Sequence, residues 1–330
     1  MIKNLQPNKL YFSTMCVRDA LDDENRKIDE ITKGKIILSG GRGTGKSIVL
    51  HDREKKSIGT ADPAMLMRFD ACGIFGKRED DVFNSSLMKH YYEVLMSKNM
   101  LNYIETYYPI LFEKEFRDLD EKMHRKIKEV DNYINNAYFR STPLPRKYFT
   151  GEVSSEILSR FRRYAGVESV TLMMDRFDWM HNSDHRVQGI MRNYFDMFDK
   201  VIITCDDKNA TKGKRASDLV DRGFTITEVG YCKDGDVVRD IVTRRFTEDP
   251  ENIKNPFPIK EVSDSTFDSL IDRSGGNITT ILGTFNDCQT QYEWDDKDFD
   301  VDKQLQKSCE RELRRVKTLR SICKGPKLHI

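Results

Sequence analysis

The chain has 330 residues, enough for one large or two modest domains with cores of their own. Its 55 Lys and Arg offset 54 Asp and Glu, and the resulting +1 formal charge excludes a global field that would draw the whole molecule onto nucleic acid. A 38% hydrophobic share with 18 Phe and 13 Tyr argues against disorder, and the 33% charged share predicts extensive solvated helix around ordinary cores.

The seven cysteines, at 16, 72, 205, 232, 288, 309 and 323, form no CxxC pair and meet no His at zinc-ligand spacing, so they read as reduced thiols. The N-terminal MIKNLQPNKLYF lacks a continuous apolar region, and no window approaches the ~18 apolar residues of a membrane-crossing helix. The expectation is a cytoplasmic protein with no membrane partner.

Residues 35–38 (KIIL) form a short β-branched apolar run and 47–50 (SIVL) resume with helix-compatible spacing. Between them lies Gly40-Gly41-Arg42-Gly43-Thr44-Gly45-Lys46-Ser47, which satisfies GxxxxGK[ST]. Glycines let backbone N–H groups converge on a β-phosphate without Cβ atoms in the way. Lys46 is placed to reach the β- and γ-phosphates, Ser47 to ligate Mg²⁺, and the helix opening toward Ile48 to present its positive dipole end to the anion. The cofactors this implies are ATP and Mg²⁺.

Downstream, 65–69 (MLMRF) reads as a second strand, and 80–104 places Phe83, Leu87, Tyr91, Val94, Leu95, Leu101 and Ile104 at largely helical spacing. Helices continue to about Phe139, and the alternating charge of 113–129 reads as a solvated helix or helical hairpin rather than a basic patch. After a break at Ser141-Thr-Pro-Leu-Pro-Arg, 153–164 reads as a helix and 169–174, 201–204 and 224–229 as strands. Strands separated by helical segments predict an α/β fold, a doubly wound parallel sheet with helices on both faces. Pro250, Pro256 and Pro258 mark a linker, 265–287 reads as a small helical domain, and 294–302 (WDDKDFDVD) as an acidic connector. The domain reading is therefore an N-terminal segment 1–30, a P-loop core 31–232 with a helical insertion at about 80–140, a helical lid 233–292, and a connector with a basic tail at 293–330.

A phosphate loop needs an acidic residue at the end of a neighbouring buried strand to hold the magnesium shell, and Val170-Thr-Leu-Met-Met174 ends in Asp175. Asp178 is either a second functional carboxylate or a helix N-cap.

These residues resemble the AAA+ ATPases, and more narrowly the initiator clade that contains the origin-recognition ATPases and their bacterial relatives, over about 20–290. In that clade the strand usually ends Asp-Glu-hydrophobic-Asp, and the matching string here is Asp175-Arg176-Phe177-Asp178. The family's Glu is its water-activating base, and Arg176 cannot accept a proton. The resemblance implies ATP hydrolysis to ADP and phosphate, slowed by Arg176 unless another carboxylate substitutes. It also places a sensor-one residue at Asp206, a trans-acting arginine at Arg222 in Leu219-Val-Asp-Arg222-Gly, and a sensor-two signature at Ser274-Gly275-Gly276-Asn277-Ile-Thr279, where Thr279 replaces the usual Arg. Arg222 in that role implies a homo-oligomer with shared sites. The segment 309–327 carries Arg311, Arg314, Arg315, Lys317 and Arg320 beside Leu313, Val316 and Leu319, a basic amphipathic helix that either tracks a DNA backbone, docks on a protein partner, or covers the small domain. The leading reading is an oligomerising ATPase that couples ATP binding and hydrolysis to remodelling or loading on DNA or protein. The alternative is a hydrolysis-poor ATP-gated switch or scaffold, or the ATPase component of a bacterial antiphage defence system, named for the GGRGTGK loop and Arg68-Phe69-Asp70.

Overall fold

The structure is a computed structural model that describes residues 34–41, 43–67, 85–140, 152–175, 194–205, 220–221, 223–232, 234–247, 257–292 and 299–322. The chain divides into two compact units. One takes the described residues within 29–39 and 53–227, the other those within 40–52 and 228–330.

The first unit holds a five-stranded sheet in the order β2-β3-β4-β1-β5, with β1 Gly34–Ser39, β2 Ala64–Met67, β3 Thr171–Met174, β4 Lys200–Cys205 and β5 Phe224–Glu228. The pairs β1/β4, β3/β4 and β2/β3 are parallel. Ile36, Ile37 and Leu38 are fully buried, as the unbroken apolar run of 36–38 requires of a strand covered on both faces. At the sheet edge, β5 is less covered, with Phe224 buried, Thr225 and Glu228 exposed and the two residues between them intermediate. Because β1 sits between strands that lead away in opposite directions along the chain, the sheet reverses its order beside β1, the place where α/β sheets take ligands at their carboxyl ends.

The helical insertion comprises α2 Ser85–Tyr107, α3 Pro109–Glu115 and α4 Arg117–Arg140, followed by α5 Glu152–Ala165. The charged stretch 113–129 is helical, broken only at Phe116 where i→i−4 hydrogen bonds still run on, and Phe112, Phe116, Leu119 and Met123 form its buried face. Helix α2 lies on β2 and packs against α4 and α5. At the centre of that packing Glu93, 2% exposed, accepts from the Ser154 amide at 3.1 Å, the Ser154 hydroxyl at 3.2 Å and the Tyr194 hydroxyl at 2.6 Å. Burial, reinforced by the Glu93 carboxylate, drives the Tyr194 pKa far upward, so Tyr194 stays a donor. Each buried polar atom of the trio thus has a partner, as burial demands.

In the second unit, α1 Lys46–Lys56 contributes its first turns, and the lid consists of α6 Gly235–Thr247, a 3₁₀ turn Ile259–Glu261, α7 Asp264–Ser274, α8 Ile278–Tyr292 and α9 Val301–Ile322. The lid core is aromatic: the Phe285 ring lies 5.4–5.8 Å from those of Phe246, Phe257 and Phe267, and the Arg239 guanidinium sits 4.1 Å from the Phe267 centroid. The helical reading of 265–287 divides in two, because Gly275 and Gly276 take φ of 64° and 75° and close α7. The connector and tail also differ from expectation. Helix α9 starts at Val301 with Asp300 accepting from the Lys303 amide at 3.0 Å, and buries Val301, Leu305, Ser308 and Cys309 before the basic segment begins. Part of the acidic run is therefore a helix cap.

Candidate phosphate-binding site

Strand β1 ends at Ser39 with its last four residues buried, and the glycine segment follows at once in the chain. Gly43 and Gly45 adopt φ of 87° and 93°, conformations that residues with side chains rarely take. The bend is held by the Thr44 hydroxyl donating to the Gly41 carbonyl at 3.0 Å, and Thr44 itself is buried. Helix α1 then opens at Lys46, with the Ile48 and Val49 amides both donating to the Gly45 carbonyl at 2.9 and 3.1 Å.

The Lys46 ammonium turns back across the loop and donates to the Gly40 carbonyl at 2.5 Å and the Gly41 carbonyl at 2.9 Å. A cation fixed over the mouth of a helix N-terminus is a receptor for an anion. Ser47 and Ile48 follow in the first helical turn, both partly exposed.

At Gly40, Gly41 and Gly43 the loop has no room for side chains. A Cβ on Gly40 would strike the Val229 carbonyl and approach the Thr44 hydroxyl at 2.8 Å. On Gly41 it would overlap the Tyr231 hydroxyl and stand 2.7 Å from ring atom Cζ, and on Gly43 it would overlap the Asn277 amide, with Cγ at 2.8 Å. What these three positions can offer a ligand is therefore backbone N–H groups, and beside them stands the Lys46 ammonium, donors suited to a polyphosphate. The residues present fit the phosphates of a nucleotide.

Asn277 is 7% exposed, and its Oδ1 accepts the Thr280 amide at 3.1 Å, capping α8. The Gly275 and Gly276 amides donate to Asp272 and Ile271 carbonyls at 3.2 and 2.9 Å, the pattern of a left-handed helix stop.

In the sheet unit, Asp175 follows the last residue of β3. Met174 pairs with Ile203, which brings Asp175 level with Thr204, and the Thr204 hydroxyl donates to Asp175 Oδ1 at 2.7 Å. Leu38 is the β1 partner of Thr204, so the carboxylate stands at the carboxyl edge of the sheet. Thr204 is a participant that the sequence reading passed over, although a hydroxyl ending the buried run 201–204 was the available signal.

Arg42, Arg176, Phe177, Asp178, Asp206 and Arg222 lie outside the described residues, as does the Arg68-Phe69-Asp70 string. On α9, Arg311 is paired with Asp287 at 2.7 Å, Arg314 reaches Glu310 at 3.7 Å and Arg315 reaches Glu312 at 3.5 Å. Among the described residues no group of three or more His, Cys, Asp and Glu could hold a metal ion, and no helix is long and apolar enough to cross a membrane.

No protein-family model matches the chain, and neither does any curated protein. Among solved structures, C. elegans PCH-2 aligns with a TM-score of 0.36 at 13% identity, over 93% of this chain and 67% of that one. A likeness that distant bears on no residue role. The fold stands on the molecule itself: an α/β P-loop NTPase sheet with helices, accompanied by a helical unit.

Proposed function

We propose that this protein binds Mg-ATP at the Gly40–Ser47 loop and is an ATPase of the AAA+ kind. The observation that carries the proposal is the loop itself, with two left-handed glycines, no space for Cβ atoms and the Lys46 ammonium drawn over its start. In this reading, backbone N–H groups and Lys46 bind the β- and γ-phosphates, Ser47 ligates magnesium, and Asp175, oriented by Thr204, supplies the acidic side of the metal shell. Magnesium would neutralise charge on the transferring phosphoryl group. The initiator-like resemblance adds Arg222 acting on a neighbouring subunit's nucleotide, and coupling of the cycle to remodelling or loading on DNA or protein. Turnover at several protein concentrations, with and without double-stranded DNA, tests this beside Lys46→Ala. Turnover that rises with concentration and is lost in Lys46→Ala supports a shared-site enzyme, and equal turnover in Lys46→Ala refutes the loop as the site.

A second reading is favoured by Arg176, which stands where the family's base would be. Here ATP gates a conformational switch and hydrolysis is slow or absent. Tight Mg-ATP binding without turnover at any concentration supports it.

A further inference from the structure

Gly41 lacks a Cβ for a reason its backbone does not supply. It is not among the glycines with positive φ, so an Ala there would be free of backbone strain. What excludes a side chain is Tyr231, whose hydroxyl and ring edge cover the Gly41 Cα. Tyr231 is 37% exposed and lies between β5 and α6, in the strip that leads into the lid.

Tyr231 is braced in its turn. A Cβ on Gly276 would strike the Cys232 carbonyl and come 3.4 Å from Tyr231 Cβ, so the turn between α7 and α8 is pressed against the Tyr231–Cys232 backbone. The next residue, Asn277, closes over Gly43. Three pieces of chain are thereby interlocked: the glycine loop, the strip 229–232 and the turn 275–277. The Gly41 carbonyl is also an acceptor for the Lys46 ammonium, beside the Gly40 carbonyl. Whatever fixes the Gly41 peptide fixes the cation.

We infer that Tyr231 is a positioning residue for the phosphate loop, acting through the Gly41 peptide on Lys46, so that affinity for the β- and γ-phosphates depends on the packing of the lid-side strip. The inference rests on the reading of the loop as a nucleotide site. It assigns to Tyr231 an action on the phosphates at second hand, with no contact of its own to the ligand, and to Asn277 a like action through Gly43 beyond its capping of α8.

The test is calorimetric titration of the full chain with Mg-ATP, Mg-ADP and AMP for wild type, Tyr231→Ala, Tyr231→Phe, Lys46→Ala and the Tyr231→Ala/Lys46→Ala pair, with a thermal midpoint for each. Tyr231→Ala is expected to weaken ATP and ADP about tenfold, about half of what removing a charged hydrogen-bond donor does, while leaving AMP unchanged. Tyr231→Phe, which keeps the ring edge on Gly41, is expected to stay within about twofold of wild type. In the Lys46→Ala background the Tyr231→Ala loss is expected to vanish, because residues acting through one group do not add. Asn277→Ser retains a capping oxygen for Thr280 and removes the amide from Gly43, so it should lower ATP affinity at an unchanged midpoint. Wild-type affinity in Tyr231→Ala, a full additive loss in the pair, or an equal loss for AMP overturns the inference while the loop reading survives. Failure of the wild type to bind Mg-ATP overturns the loop reading itself, and the inference with it.

Discussion

Around the phosphate loop the decisive atoms are ones the sequence leaves out, whereas in the helical insertion they are polar atoms it buries. Gly41 and Gly43 have no space for a Cβ beside Tyr231 and Asn277, while Glu93 sits 2% exposed among donors from Ser154 and Tyr194. The two regions should therefore fail differently. A change in the insertion should reach stability first, and a change in the loop should reach ligand affinity first.

The largest effect is expected in the lid core. Phe285→Ala removes a fully buried ring packed against three others, and changes of that kind cost about 3–5 kcal/mol. Guanidinium unfolding measures it, and a loss below about 1 kcal/mol would mean the aromatic cluster is not the lid's core. Next comes Glu93→Ala, which strands the Ser154 amide and the Tyr194 hydroxyl at about 1–3 kcal/mol each, the Ser154 hydroxyl keeping Ser97 Oγ at 2.8 Å. If the comparison holds, the folded fraction of Glu93→Ala binds Mg-ATP as wild type does, and a weakened affinity in that fraction would break it. Thr204→Val, which removes the 2.7 Å hydrogen bond to Asp175, is expected to cost about 1 kcal/mol and to lower ATP turnover more than ATP binding. Turnover unchanged in Thr204→Val would remove Asp175 from the metal shell.

The lid also has an acid-sensitive contact. Burial raises the Asp302 carboxyl, but hydrogen bonds from Ser263 and Thr266 outweigh it and hold the pKa below the ordinary carboxylate range. A depressed carboxyl stabilises the fold above its unfolded pKa, and the contribution is lost as pH falls through the folded value. Asp302→Asn is thus expected to lower stability at neutral pH and to change it little below the folded pKa, flattening the acid limb of lid unfolding, and an identical acid limb would show the contact to be immaterial. Smallest of all, Arg311→Ala breaks an exposed pair with Asp287 and should change stability by less than about 1 kcal/mol. The Cys288 thiol, pushed to about 12 chiefly by burial and further by Asp287, should resist alkylation in the native protein.

The loop and the sheet were legible because local rules write them into short strings. The apolar runs 36–38 and 201–203 mark doubly covered strands, and GxxxxGK[ST] states its own backbone chemistry. The end of β3 at Asp175 was legible for the same reason. Contacts between distant segments were not. Nothing in the string Val229-Gly-Tyr-Cys232 says that its ring will close on Gly41, whereas the i, i+4, i+7, i+11 spacing of Phe112, Phe116, Leu119 and Met123 does put them on one helix face amid the charge of 113–129. The pairing of the basic residues of α9 was not legible either: Arg311 meets Asp287 on α8, while Arg314 and Arg315 meet Glu310 and Glu312 one turn back on α9 itself.

The measurement that tests the account most directly is titration of the full-length chain with ATP, with and without magnesium, beside Lys46→Ala. The account predicts binding that strengthens with magnesium and falls about ten- to hundredfold in Lys46→Ala, the range for a charged hydrogen-bond donor. Equal affinity in the two proteins, or no binding in either, would contradict it.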